Sequence, residues 1–172
     1  LGRPSYRVYR YIRDSAGLQP WQANGTYYIT PLQDQLETIE DNFRTIRLHL
    51  PFKEGTSWRG NRYLAAEPYG TLFNFSNDQD MDKWDFYYDD FSPTFSHRNQ
   101  VYNDVWTLEI IEEAINMPLT DPNGYGSMNR AIDRYAKNIG LVYRQFDMYE
   151  YQPGSSGFYT GFGITMWMID HN

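Results

Sequence analysis

The residues able to act as nucleophiles, bases or metal ligands are unevenly supplied in this chain. There is no Cys, and the three His residues, His49, His97 and His171, stand far apart, none two or four positions from another. Thiol chemistry and zinc–thiolate sites are excluded, and a His-based metal site would need the fold to gather all three. Phosphate-cradling motifs are missing too. No G-x-x-x-x-G-K-S/T occurs, Gly124-Tyr125-Gly126 lacks the third Gly of a dinucleotide loop, and Gly161-Phe162-Gly163 sits inside a strand pattern. No G-x-S-x-G elbow is present, and Gly154-Ser155-Ser156-Gly157 reads as a hairpin turn. No catalytic residue, metal site or cofactor is therefore expected.

Carboxylates are abundant, with 22 Asp and Glu. In a chain this acidic some pair will always fall about 5–9 Å apart, so their number does not identify a glycosidic acid pair. The densest run begins Asp78-Gln79-Asp80-Met81-Asp82. Counted as a calcium loop from Asp78, it places Asp at positions 1, 3, 5 and 12. Lys83 stands at position 6, where such a loop turns on Gly, and Phe86 at position 9. Calcium ligation and a solvated acidic loop both remain open.

Aromatic residues give the remaining lead. Trp84, Phe86, Tyr87, Tyr88 and Phe91 crowd into the acidic segment, and Tyr149 and Tyr151 flank Glu150. A ring supplies a flat apolar face and a neighbouring acid accepts hydroxyl hydrogen bonds, which together suit a sugar or an apolar molecule. Trp84, Phe86, Tyr87, Tyr88, Tyr149 and Tyr151 are the candidate ligand-binding residues. The competing reading is that these rings fill a β core or cover a sheet face.

The elements that would position them read mostly as strands. Residues 44–52 alternate, with Ile46, Leu48, Leu50 and Phe52 on one face and Thr45, Arg47 and His49 on the other. Pro51 cannot donate to a ladder, so this strand end should lie at an edge or an exit. Residues 6–13, 101–111 and 141–152 read as further strands, and residues 25–30 as one that begins after an Asn24-Gly25 turn. Residues 158–170 look like the hairpin partner of 141–152, and with both faces apolar over 162–169 an interior strand is expected. Residues 32–41 suit a strand or a short helix. Residues 128–139 place Met128, Ala131, Ile132, Tyr135 and Ala136 at helical spacing before Gly140, and equally suit a strand running into a turn at Asn138-Ile139-Gly140. Residues 118–126 are a loop, and residues 62–95 read as a long meander or functional loop.

Composition narrows the class. The 172 residues fit one domain, 1–172, and 31 aromatics argue against disorder. A chain of this length buries about 70% of its unfolded surface and needs no disulfide staple. The net charge of −7 argues against nucleic acid and against a polybasic lipid surface. Arg3, Arg7, Arg10 and Arg13 nonetheless make the first thirteen residues +4, while residues 78–90 carry six Asp against Lys83. Both are read as solvated faces, or as complementary surfaces within the molecule or between copies. No run reaches the length of a transmembrane helix. The opening Leu1-Gly2-Arg3-Pro4 has neither an initiator Met nor a signal peptide, as in a trimmed or mature chain.

Three phrases resemble a known kind of protein. They are the stretch from Phe43 through Pro51, Lys53-Glu54-Gly55, Trp58 and Gly60-Asn61; Tyr102-Asn103-Asp104-Val105-Trp106; and Tyr135-Ala136-Lys137-Asn138-Ile139-Gly140-Leu141-Val142-Tyr143-Arg144. Their order and spacing over residues 43–144 resemble lipoproteins of the Bacteroidetes cell envelope whose function is unknown. The resemblance implies an exported chain anchored through a lipidated Cys upstream of Leu1. It also implies an antiparallel β domain, with residues 128–139 as strand and turn, and it carries no catalytic residues.

The expected fold is mainly β: a single antiparallel, curved sheet or open barrel, with one short helix at most, and α+β as the alternative. The expected function is non-catalytic binding of an apolar molecule or a glycan at the envelope. A structural or protein–protein interaction module is the second reading, and a glycan hydrolase the third. The oligomeric state is left open.

Overall fold

A computed structural model of the chain describes residues 2–73 and 75–171. Ten strands carry the fold: β1 (Tyr6–Ile12), β2 (Gln22–Pro31), β3 (Gln35–Glu40), β4 (Phe43–His49), β5 (Ser57–Arg59), β6 (Asp85–His97), β7 (Gln100–Ile115), β8 (Gly126–Ala136), β9 (Gly140–Gln152) and β10 (Phe158–Trp167). The helical content among the described residues is one 3₁₀ turn at Met81–Lys83, which removes the α+β alternative. The architecture is mainly β and antiparallel throughout, but it is two sheets rather than one, and neither closes into a barrel. The first sheet has the order β1-β2-β3-β4, the second β10-β9-β8-β7-β6-β5.

The break between the sheets follows from the end of β4. The strand stops at His49, and Pro51 beyond it has no N–H to extend a ladder. The chain then returns as β5 on β6. The sheets meet through an Ile46 N–H to Gly60 carbonyl bond of 2.8 Å and a Trp58 indole N–H to Ile46 carbonyl bond of 2.8 Å. Gly60 is required at this join, because a Cβ there would stand 2.4 Å from the Phe86 ring.

The core lies between β3–β4 and the inner face of the second sheet. Leu48, Phe86, Tyr88, Leu108, Ile110 and Ala131 are buried together, with Leu36, Phe52, Trp58 and Trp106 packed around them. Of the expected apolar face of β4, Ile46 and Leu48 are buried, whereas Leu50 is 41% exposed beyond the strand end. Arg47, expected on the polar face, turns toward the second sheet. The register passes from Leu36↔Leu48 to Glu37↔Ile46 and leaves Arg47 as the extra residue of a β-bulge.

Several expectations change. Asn24-Gly25 does not start β2; it lies inside the strand opposite the β1 irregularity between Tyr9 and Tyr11, with Gly25 at φ +100°. The Arg10 guanidinium bonds the Asn24 carbonyl there at 3.0 Å. Residues 128–139 are strand β8 and its turn, since Asn129, Ala131 and Asp133 are buried in alternation rather than along a helical stripe. β10 does pair with β9 as a hairpin, from Phe158↔Gln152 to Trp167↔Tyr143. It is an edge strand, however, with Ile164 and Met166 near half exposed, because no strand follows it in the sheet. Of the long loop expected over 62–95, residues 62–73 and 75–80 lie outside any strand, but 85–97 are strand β6. The loop is pinned by Asn77, whose side-chain amide donates to the Met128 carbonyl, Asn129 Oδ1 and the Tyr149 carbonyl at 2.9–3.2 Å.

Candidate functional site

Where β6, β7 and the β8–β9 turn open past the end of β4, the inner face leaves a cleft of about 660 Å³. Phe52 enters from the segment after β4, Phe91 from β6, Trp106 from β7 and Tyr135 from β8, with Leu48 and Ile139 completing an apolar wall. The rings form one packed group. Phe52 stands edge-on to Tyr88 at 4.9 Å and lies 6.0 Å from Trp106, while Trp106 is 5.6 Å from Tyr88 and 5.1 Å from Phe91. Cross-strand registry explains the floor, since Phe91↔Trp106 and Tyr88↔Leu108 are direct partners across β6 and β7.

Tyr88 fixes the strand that bounds the cleft. Its hydroxyl donates to the His49 carbonyl at 2.7 Å and accepts from the His49 N–H at 3.2 Å, satisfying both backbone groups at the end of β4. Burial holds the Tyr88 phenol protonated well above its ordinary range.

The rim is polar. Lys137 and Asn138 sit on the tight β8–β9 turn, where Asn138 has φ +64° and Gly140 φ +106°. The second value suits a residue without a Cβ. The Lys137 N–H bonds the Asp104 carbonyl at 3.1 Å and joins the turn to β7. The side chains of Lys137 and Asp104 form no ion pair among the described residues.

Behind the cleft wall is a buried charge cluster. Asp133 is 1% exposed and receives two bonds from Arg144, at 2.7 and 2.8 Å. Arg47 approaches it at 3.5 Å, and the Tyr135 hydroxyl donates to it at 3.0 Å. Burial alone would raise the Asp133 carboxyl, but Arg144, Arg47 and the Tyr135 hydroxyl outweigh it and hold the group below its ordinary value. Burial, and then the Asp133 charge, push the Tyr135 phenol strongly upward. At neutral pH Tyr135 is therefore a fixed donor to Asp133, while its ring faces the cleft.

The candidate aromatics of the sequence are dispersed. Phe86 and Tyr88 are core residues at 1% and 0% exposure, and Trp84 packs against the same cluster. Tyr87 alternates to the opposite face of β6 and pairs in register with Glu109. Tyr149 and Tyr151 lie on β9 beside Tyr159 of β10, with ring centroids at 6.2 and 5.1 Å, and the Tyr151 hydroxyl bonds the Pro122 carbonyl. Two strands, β7 and β8, separate these tyrosines from β6. The acidic run is dispersed as well. Asp78 is buried and accepts the Tyr69 N–H at 2.8 Å, Asp80 pairs with Lys83, and Asp85, Asp89 and Asp90 lie on β6. Among the described residues no three acids or histidines converge on one point.

Phe52, Trp106 and Tyr135 stand outside the candidates that the sequence offered, and so does Phe91, noted in the crowded segment but not among them. The signal of the first three was faint: an aromatic just after a strand-ending Pro, and one aromatic in each of two central strands. Compared with protein-family models, curated proteins and solved structures, the chain matches none.

Proposed function

We propose that this protein is a non-catalytic binder of a small, largely apolar molecule, held in the cleft between Phe52, Phe91, Trp106 and Tyr135. The observation that carries this reading is the cleft itself: an aromatic wall around about 660 Å³, within the range typical of small-molecule sites. Four rings and two aliphatic side chains supply the apolar surface, while Lys137 and Asn138 offer polar groups at the rim to orient a ligand. Asp133 is saturated by two Arg and a Tyr, so it stabilises the wall and is not free to act as an acid or base. The envelope setting proposed with this function rests on the resemblance over residues 43–144.

The test is a fluorescence titration with 1-anilinonaphthalene-8-sulfonate, whose fused rings match the wall and whose sulfonate suits Lys137. Saturable binding at one site is expected. Phe91→Asp, at a position already 38% exposed, should weaken it by about tenfold or more, because a charge then faces the apolar wall. Tyr149→Ala, on the opposite face of the sheet, should leave it unchanged. Absence of saturable binding, or equal binding by Phe91→Asp, contradicts the proposal.

A further inference from the structure

The β1–β2 ribbon has an exposure that the cleft does not explain. β2 pairs with β3 only through residues 28–31, so residues 8–12 and 22–27 run past β3 as a two-stranded arm. Two strands alone bury little and are marginal in water. This arm nevertheless displays Tyr9, Tyr11, Ile12, Leu18 and Trp21, each 53–83% exposed. Apolar surface gathered in one projection marks a site of association rather than a random surface.

Charge indicates what covers it. Four Arg and one Asp give residues 1–27 a net of +3, which leaves −10 for the rest of a chain whose total is −7. Within the molecule, Arg3 and Arg10 are met by Glu37 and Glu40 of β3. Arg7 and Arg13 instead lie over the rings of Tyr9 and Trp21, at 4.7 and 4.4 Å, and neither meets a carboxylate among the described residues. The complementary surface is on β6. The register shift between Tyr88 and Asp90 makes Asp89 the extra residue of a bulge, and Asp89 and Asp90 are both exposed with no cation partner among the described residues.

We propose that the β1–β2 arm docks on the acidic β6 bulge of a second copy of this chain, with Arg7 and Arg13 meeting Asp89 and Asp90. Docking of each arm on the other copy closes a two-fold dimer and leaves no unpaired arm to propagate a fibre. The apolar rings supply contact area, and the charges select the orientation. This inference is independent of the ligand proposed for the cleft.

Sedimentation velocity on the native chain in 20 mM and 500 mM NaCl tests it. A species of twice the 20.4 kDa chain mass is expected at low salt, weakened by about tenfold or more at high salt as the charges are screened. Arg7→Glu with Arg13→Glu should abolish the dimer, and so should Asp89→Lys with Asp90→Lys. Mixing the two charge-reversed proteins should restore a heterodimer. All four positions lie on exposed surface, so circular dichroism should show both variants folded. A native monomer at low salt overturns the proposal. So does a dimer that survives the β6 reversal, or a monomer that binds phosphatidylglycerol vesicles through the arm, which would make lipid the occupant.

Discussion

The inner face of the six-stranded sheet and the β1–β2 arm use the same residue types to opposite ends. On the inner face Phe86 and Tyr88 are 1% and 0% exposed, and Tyr88 spends its hydroxyl on both backbone groups of His49. On the arm Tyr9 and Tyr11 are 53% and 56% exposed, and two of its arginines rest on rings instead of on carboxylates. Aromatic content alone therefore does not mark a site. What separates core from surface is whether a second layer covers the strand: β3 and β4 cover β6 and β7, and among the described residues nothing covers the arm. The cleft lies at the boundary, where that cover stops at the end of β4.

Matched truncations should separate the two regions most widely. Phe86→Ala should cost about 3–5 kcal/mol in urea unfolding, as large buried aromatics do. Tyr9→Ala should stay within about 0.5 kcal/mol, as an exposed substitution. Similar losses at the two sites would break the comparison.

Asp133→Asn should cost about 3–5 kcal/mol, because it leaves two guanidinium groups buried without their counter-charge. The same group sets an acid limit. Its folded-state value lies below its ordinary 3.8, so its stabilisation is complete above that pH and is lost as pH falls further. Urea midpoints should thus hold down to about pH 4 on account of this group and then drop, and the drop should be shallower in Asp133→Asn.

Gly60→Ala should cost about 1–3 kcal/mol by forcing the Phe86 ring aside, since its Cβ would meet that ring at 2.4 Å. Tyr135→Phe should have a smaller effect. It removes the donor to Asp133 at a cost of about 1 kcal/mol and keeps the ring in the cleft wall, so dye affinity should hold while stability falls.

Most strands were legible because their signals are local. Residues 141–152 and 158–170 read as a hairpin, and β9 and β10 are one, closed at the Pro153-Gly154 turn. Pro51 signalled that the strand read over 44–52 leaves the ladder at this end, and β4 stops at His49, short of that proline. Asn24-Gly25 misled because the positive φ that suits a turn also suits a bulge inside a strand. The division into two sheets was not legible. The end of β4 is a local signal, but the contacts that set β4 against the second sheet, Ile46 with Gly60 and Gly60 with Phe86, form only between segments apart in the sequence. The cleft escaped for the same reason. Phe52, Phe91, Trp106 and Tyr135 come from four separate stretches, and none is distinguished from its aromatic neighbours until the sheets are packed. Local crowding favoured Trp84, Phe86, Tyr87 and Tyr88 instead, and alternation sends those to different faces.

The most direct measurement is an amide and indole NMR titration of the native protein with 1-anilinonaphthalene-8-sulfonate. Saturable shifts confined to the Trp106 indole, Phe91 and the Lys137-Asn138-Ile139-Gly140 turn are expected. Shifts centred on Tyr149 and Tyr151, or on Tyr9 and Trp21 of the arm, would contradict binding in the cleft.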